Sequence, residues 1–203
     1  MKKYISAVSV AILTSLLLFG ILTEAKAAVT VLSVGGPGWI GQNLEQMIGP
    51  GTGYTIVTNS FTGTKNKISI SLENPSGGLW NTQFRGAAGQ DIGLGVTDNV
   101  IKYNASPTTI AGLNISGGGH GNTTVSGYFD VKEIVFSGTT VTKLAIDGFQ
   151  ITDGDPNDWA KFSFRFNSDV AITSLSSIVA IPEPSMLALF LPFVGMLTLR
   201  RKR

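Results

Sequence analysis

Trp159-Ala160-Lys161-Phe162-Ser163-Phe164-Arg165-Phe166-Asn167 alternates more cleanly than any other stretch of this 203-residue chain. Ala160, Phe162, Phe164 and Phe166 share one parity, and Lys161, Ser163 and Arg165 share the other. Side chains of an extended strand point alternately to opposite faces, so a period of two predicts a half-buried strand. Upstream, Asp153-Gly154-Asp155-Pro156-Asn157-Asp158 reads as a turn. Before it, Thr124–Ser137 and Thr140–Thr152 read as two long strands joined by Ser137-Gly138-Thr139, which is hairpin spacing. Phe129, Val131 and Val135 share one parity in the first of these, while Tyr128, Ile134 and Phe136 occupy the other. Apolar residues on both parities predict a bulge or a change of face.

The same signals continue toward the N-terminus. Lys67–Glu73 places Ile68, Ile70 and Leu72 on one face and Ser69 and Ser71 on the other, and Asn74-Pro75-Ser76-Gly77-Gly78 follows as a turn. Trp80, Thr82 and Phe84 line the next strand, and Gly86–Gly95 is a glycine-rich connection. Val29–Val34, Tyr54–Thr58, Val96–Tyr103 and Ala111–Ser116 are further strand segments. Gly35-Gly36-Pro37-Gly38 and Gly49-Pro50-Gly51 bracket Trp39–Ile48, where Leu44, Met47 and Ile48 fall at near-helical spacing and predict a short helix. Short strands separated by Gly, Asn and Pro turns about every ten residues predict an all-β fold, an antiparallel, jelly-roll-like β-sandwich over residues 28–168.

Both ends read differently. Met1-Lys2-Lys3, an apolar run from Ile5 to Leu22, and Ala25-Lys26-Ala27 form the charged, apolar and small-residue regions of a signal peptide, with cleavage expected between Ala27 and Ala28. The alternative is a permanent N-terminal membrane helix, which the A-x-A site disfavours. At the other end, residues 169–181 are rich in Ser, Ala and Ile and are expected to link the sandwich to the tail. Pro182-Glu183-Pro184 precedes an uncharged apolar run, 185–199, and then Arg200-Arg201-Lys202-Arg203. An apolar segment closed by cations suits a transmembrane helix with its basic end on the cytoplasmic side. Fifteen residues rise about 22 Å as a helix, short of the roughly 30 Å hydrocarbon core, and Pro192 and Gly195 interrupt them. That is a temporary stop rather than a lasting anchor.

Pro182-Glu183-Pro184, the apolar run and the basic end together resemble the PEP-CTERM sorting signal of exported bacterial proteins. The resemblance implies an exosortase-type membrane protease as partner, transient anchoring in the inner membrane, cleavage at the Pro-Glu-Pro, and the cell surface or extracellular matrix, with its exopolysaccharide and biofilm, as destination. A second resemblance runs through the body. Trp80-Asn81-Thr82-Gln83-Phe84, Ala111–Gly117, the G-x-F-x-V-x-E pattern of Gly127–Glu133, and Arg165-Phe166-Asn167-Ser168 are similar to a group of secreted bacterial β domains. Two cysteines expected in many of its members are absent here, and any staple they provide is absent too.

Composition narrows the function. Between Ala28 and Pro182 there are eight Lys and Arg against eleven Asp and Glu, a balance of −3, so the overall +2 comes from the two ends. A mildly acidic body with no basic run gives no footprint for nucleic acid. With no cysteine, neither disulfides nor thiolate metal sites are available. His120, the only histidine, lies among glycines without a partner in sequence to orient it or a second ligand for zinc. Gly35–Gly41 lacks the G-K-[ST] ending and the G-x-G-x-x-G spacing of phosphate loops. Glu45, Glu73 and Glu133 are too scattered to pair as glycosidase carboxylates, and there is no G-x-S-x-G elbow. No catalytic residues and no resident cofactor are expected.

Two binding readings survive beside a purely structural one. Asp153, Asp155, Asn157 and Asp158 supply oxygen ligands on one turn, as Ca²⁺ requires, although no Glu closes an EF-hand and Pro156 interrupts the loop. Trp159 starts its strand beside that loop, on the Lys161 and Arg165 parity, and is the expected exposed aromatic for sugar contact, with Trp39 and Trp80 as the other tryptophans. A non-enzymatic exported surface protein is therefore the first expectation. A carbohydrate- or calcium-binding module is the alternative.

Overall fold

The computed structural model describes residues 27–59, 65–106 and 108–179. Ala25 and the stretch from Pro182 to Arg203, which carry the signal cleavage site and the tail, lie outside the described residues.

Among the described residues eleven strands follow in order: β1 (Val29–Gly36), β2 (Leu44–Ile48), β3 (Thr55–Asn59), β4 (Lys67–Glu73), β5 (Leu79–Arg85), β6 (Gly95–Thr97), β7 (Ile101–Lys102), β8 (Gly112–Gly117), β9 (Val125–Ser137), β10 (Thr140–Thr152) and β11 (Trp159–Ser168). They form two sheets, β2-β1-β11-β10-β9-β6 and β3-β4-β5-β8-β7. All pairings within them are antiparallel except β7 with β8. The expected all-β sandwich is present.

The two inner faces interdigitate as alternation requires. Ile68, Ile70, Leu72, Trp80, Phe84 and Leu113 of the second sheet meet Leu32, Val34, Phe129, Ile146, Phe162 and Phe164 of the first, all buried. Phe84 sits at the centre, 5.5 Å from Phe129 and 6.0 Å from Phe162 between ring centroids. Burying each such side chain stabilises the fold by about 1.5–3 kcal/mol, without help from a disulfide.

The mixed parity in β9 has its cause in the pairing with β10. Val131 faces Ile146 while Glu133 faces Ala145, which leaves Lys132 as an extra residue. The bulge lets Phe129 and Val131 before it, and Ile134 and Phe136 after it, all reach the main core. Tyr128 points the other way, into a second cluster with Phe149, Leu175 and Ile178.

Four expectations are corrected. Residues 39–48 contain no helix: Gln42 and Asn43 adopt φ of 53° and 56°, which reverse the chain, and Leu44–Ile48 pairs with β1. Backbone pairing at the sheet edge overrides the near-helical spacing. Residues 96–103 are not one strand but β6 in the first sheet and β7 in the second, separated by Asn99 at φ 54°. Strand β11 is not half-buried: Ser163 and Arg165, on its expected solvent face, are both fully enclosed. The reason is the fourth correction. The stretch expected as a linker packs down as far as Val179 across the outer face of the first sheet, with Leu175 and Ile178 buried in the second cluster.

Candidate functional site at the loop end

Three turns meet at one end of the sandwich, namely 37–43 between β1 and β2, 118–124 between β8 and β9, and 153–158 between β10 and β11. The acidic turn ties them together. Asp153 Oδ1 accepts the backbone N–H groups of Thr123 and Thr124 at 2.6 and 2.7 Å. Asp158 Oδ1 accepts the Trp39 N–H at 2.6 Å. Asp155 Oδ1 accepts from Asn157 N at 2.8 Å and from Asn157 Nδ2 at 3.3 Å, closing the turn on itself. Charge-assisted bonds of this kind are roughly twice as strong as neutral ones. The carboxylates thus fix loop positions. Among the described residues, no group of three or more His, Cys, Asp or Glu side chains is placed to hold a metal ion.

The glycine string 35–41 makes this approach possible. The Gly38 N–H donates to the Trp159 carbonyl at 3.1 Å. A Cβ on Gly38 would stand 2.2 Å from Asp158 Oδ1 and 2.5 Å from Trp159 N, so a larger residue would push the two turns apart.

Each tryptophan has a different surrounding. Trp80 is core. Trp159, the aromatic expected at the surface, is half-buried, its ring 5.7 Å from Phe149 and 5.6 Å from Lys161 Nζ. Trp39 is the exposed one, with 58% of its surface open. Its ring meets the His120 imidazole edge-on, centroids 4.0 Å apart and planes at 87°. The lone histidine therefore supports an aromatic neighbour. Sequence reasoning set Trp159 ahead of Trp39 because Trp159 opens its strand beside the acidic turn; the available signal for Trp39 was a large aromatic within a glycine turn.

A groove of about 540 Å³ adjoins this end on the outer face of the first sheet, lined by Pro37, Leu44, Glu45, Trp159, Lys161 and Leu175. Its size falls in the range of small-molecule sites. Glu45, Gly35 and Lys161 occupy one cross-strand row. Gly35 keeps the floor low, since a Cβ there would lie 2.8 Å from the Leu44 carbonyl oxygen and 3.0 Å from Leu175 Cδ1. The groove offers one aromatic wall, a carboxylate and an ammonium.

The chain matches no family model, no curated protein and no solved structure in comparison with known proteins.

Proposed function

We propose that this chain is an exported, non-enzymatic cell-surface or extracellular-matrix protein, delivered by its N-terminal signal peptide and sorted at Pro182-Glu183-Pro184. The observation that carries the reading is the C-terminal order of Pro-Glu-Pro, uncharged apolar run and Arg200-Arg201-Lys202-Arg203. Its implied partner is an exosortase-type membrane protease, and its destination the exopolysaccharide matrix. The flanking signal and transmembrane helices belong to this proposal. So does the jelly-roll likeness, which β1 lying beside β11 supports, while β3-β4-β5 and β9-β10-β11 run as meanders within single sheets.

Intact-mass spectrometry of the protein recovered from cells and from medium tests the sorting. The expected released species begins at Ala28 and lacks Arg200–Arg203. A released form that retains those four residues would sink the proposal.

A second reading, a carbohydrate-contact surface at the loop end, draws support from Trp159, Glu45 and Lys161 lining one groove. The calcium variant of it draws none from the geometry, since Asp153, Asp155 and Asp158 are engaged by backbone N–H groups. Calorimetric titration with millimolar Ca²⁺ is expected to show no binding heat. A saturable heat abolished by Asp155→Ala would restore that variant.

A further inference from the structure

We infer that Trp39 is the residue on which a saccharide ring stacks, that Asp158 is its positioning residue, and that the ligand is a neutral hexose polymer. This deepens the carbohydrate-contact reading and rests on it. An aromatic side chain left 58% open forgoes a large part of the burial that normally stabilises tryptophan in a fold. Here the exposed ring is held rather than loose. Asp158 Oδ1 fixes its backbone N–H, the adjoining Gly38 N–H is bonded to the Trp159 carbonyl, and His120 braces the ring from one side. A rigid aromatic loses little conformational entropy when a ligand covers it, which is why Trp and Tyr dominate recognition surfaces.

The chemistry around the ring selects the ligand class. Gly118 and Gly119, which lead into the His120 that braces the ring, are exposed and add no apolar side chain to that turn. A pyranose ring has a C–H face of matching size and a rim of hydroxyls. The acidic turn 153–158 sits next to the platform and repels polyanions and anionic lipid surfaces alike. A neutral sugar polymer meets no such opposition. The groove beginning at Pro37, two residues from Trp39, provides a carboxylate acceptor at Glu45 and an ammonium donor at Lys161 for the hydroxyls of a following ring.

The test uses the full-length chain purified in detergent. It is titrated with hexamers of β-linked glucose, mannose and N-acetylglucosamine, and with an alginate hexamer as polyanion, while tryptophan fluorescence is followed. At least one neutral hexamer is expected to bind and to shift the emission, and the alginate hexamer to bind more weakly. Trp39→Ala should weaken that binding about tenfold or more, the scale of losing one stacked anchor. Asp158→Ala should weaken it severalfold, and Asp158→Asn should restore it, because the amide oxygen still accepts the Trp39 N–H; a merely structural acid would show no such rescue in affinity at equal melting temperature. Binding lost in Trp159→Ala but unchanged in Trp39→Ala would overturn this inference and leave the carbohydrate reading standing. Tighter binding of the alginate hexamer would overturn the neutral class. No binding of any hexamer at millimolar concentration would overturn both.

Discussion

Arg165 Nη1 donates to Asp147 Oδ1 at 2.8 Å on the outer face of the first sheet, with Arg165 fully enclosed and Asp147 buried. The rest of the guanidinium holds residues 170–179, the strap across this face: Nε donates to the Val170 and Ala171 carbonyls at 3.1 Å, and Nη2 to the Ala171 carbonyl at 2.7 Å. Asp147 also accepts from the Ser163 and Thr173 hydroxyls. A buried charge is tolerated only when paired and fully hydrogen-bonded, and both partners here meet that condition. The opposite sheet has a parallel device. Arg85 donates to the carbonyls of Tyr103, Ala105 and Ile110 and holds that loop down.

Removing one partner of the Arg165–Asp147 pair strands the other. Asp147→Ala is expected to cost about 3–5 kcal/mol in guanidinium unfolding. The double variant Arg165→Met, Asp147→Leu should lose clearly less than the two single losses combined, since no uncompensated charge remains. Strict additivity would show that the pair is not energetically coupled.

Gln150 is fully buried on the inward face of β10 and bonds across to the second sheet. Its Oε1 accepts the Ile115 N–H at 2.8 Å, and its Nε2 donates to the Ile115 carbonyl at 3.0 Å. It stands in for a neighbouring strand where β7 is too short to reach. Gln150→Leu keeps the volume but leaves the Ile115 N–H unpaired, at about 1–3 kcal/mol, and its carbonyl with only the 3.5 Å bond from Asn122 Nδ2. Unfolding measurements should show a loss on that scale, with faster hydrogen exchange at the Ile115 amide. Wild-type protection of that amide in the variant would refute the bridging role.

Two glycines four residues apart, Gly117 and Gly121, should respond unequally to alanine. A Cβ on Gly117 would fall 2.1 Å from Trp80 Cδ2, and Trp80 is buried and cannot yield cheaply, whereas Gly121 faces open space. Gly117→Ala is expected to destabilise by about 1–3 kcal/mol. Gly121→Ala should leave the melting temperature nearly unchanged. Equal effects at the two positions would contradict the packing described.

The strap should loosen in alkali through Tyr128, whose hydroxyl donates to the Val179 carbonyl at 2.6 Å. Burial raises its pKa above the ordinary 10.0, and the Asp130, Asp147 and Asp98 carboxylates push the same way. A raised folded pKa means the fold favours the neutral phenol. That stabilisation is complete below the unfolded value of about 10 and is lost as pH rises through the higher folded value. Thermal melts from about pH 8 to pH 11 should fall more steeply for the wild type than for Tyr128→Phe. Parallel curves would exclude the linkage.

Legibility followed the range of the interaction. Lys67–Glu73 was visible to the residue because its alternation is local, and the β9–β10 hairpin because its turn and both arms are contiguous. The bulge at Lys132 was half visible: the parity conflict was in the sequence, but choosing a bulge over a change of face required the pairing with β10. Arg165 read as a solvent-facing cation, since nothing in its own strand announces that residues 170–179 return to cover it. Trp159 was the expected exposed aromatic, yet Trp39 is the more open of the two. Trp159 packs beside Phe149 of the paired strand β10, and the imidazole that meets Trp39, His120, lies far away along the chain.

The sequence by itself determined the class of this protein: a turn-rich, cysteine-free, mildly acidic β body, with its core strands and their apolar faces, between two ends rich in apolar residues and cations. Those properties follow from periodicity and composition, which need no neighbours. Only the tertiary structure decided which sheet each strand joins, that the acidic turn serves as a clamp on backbone N–H groups, and which tryptophan stays open. Each of these depends on contacts between residues remote in sequence, such as the 2.6 Å bond between Asp158 and Trp39, and no local pattern of residue types records such a contact.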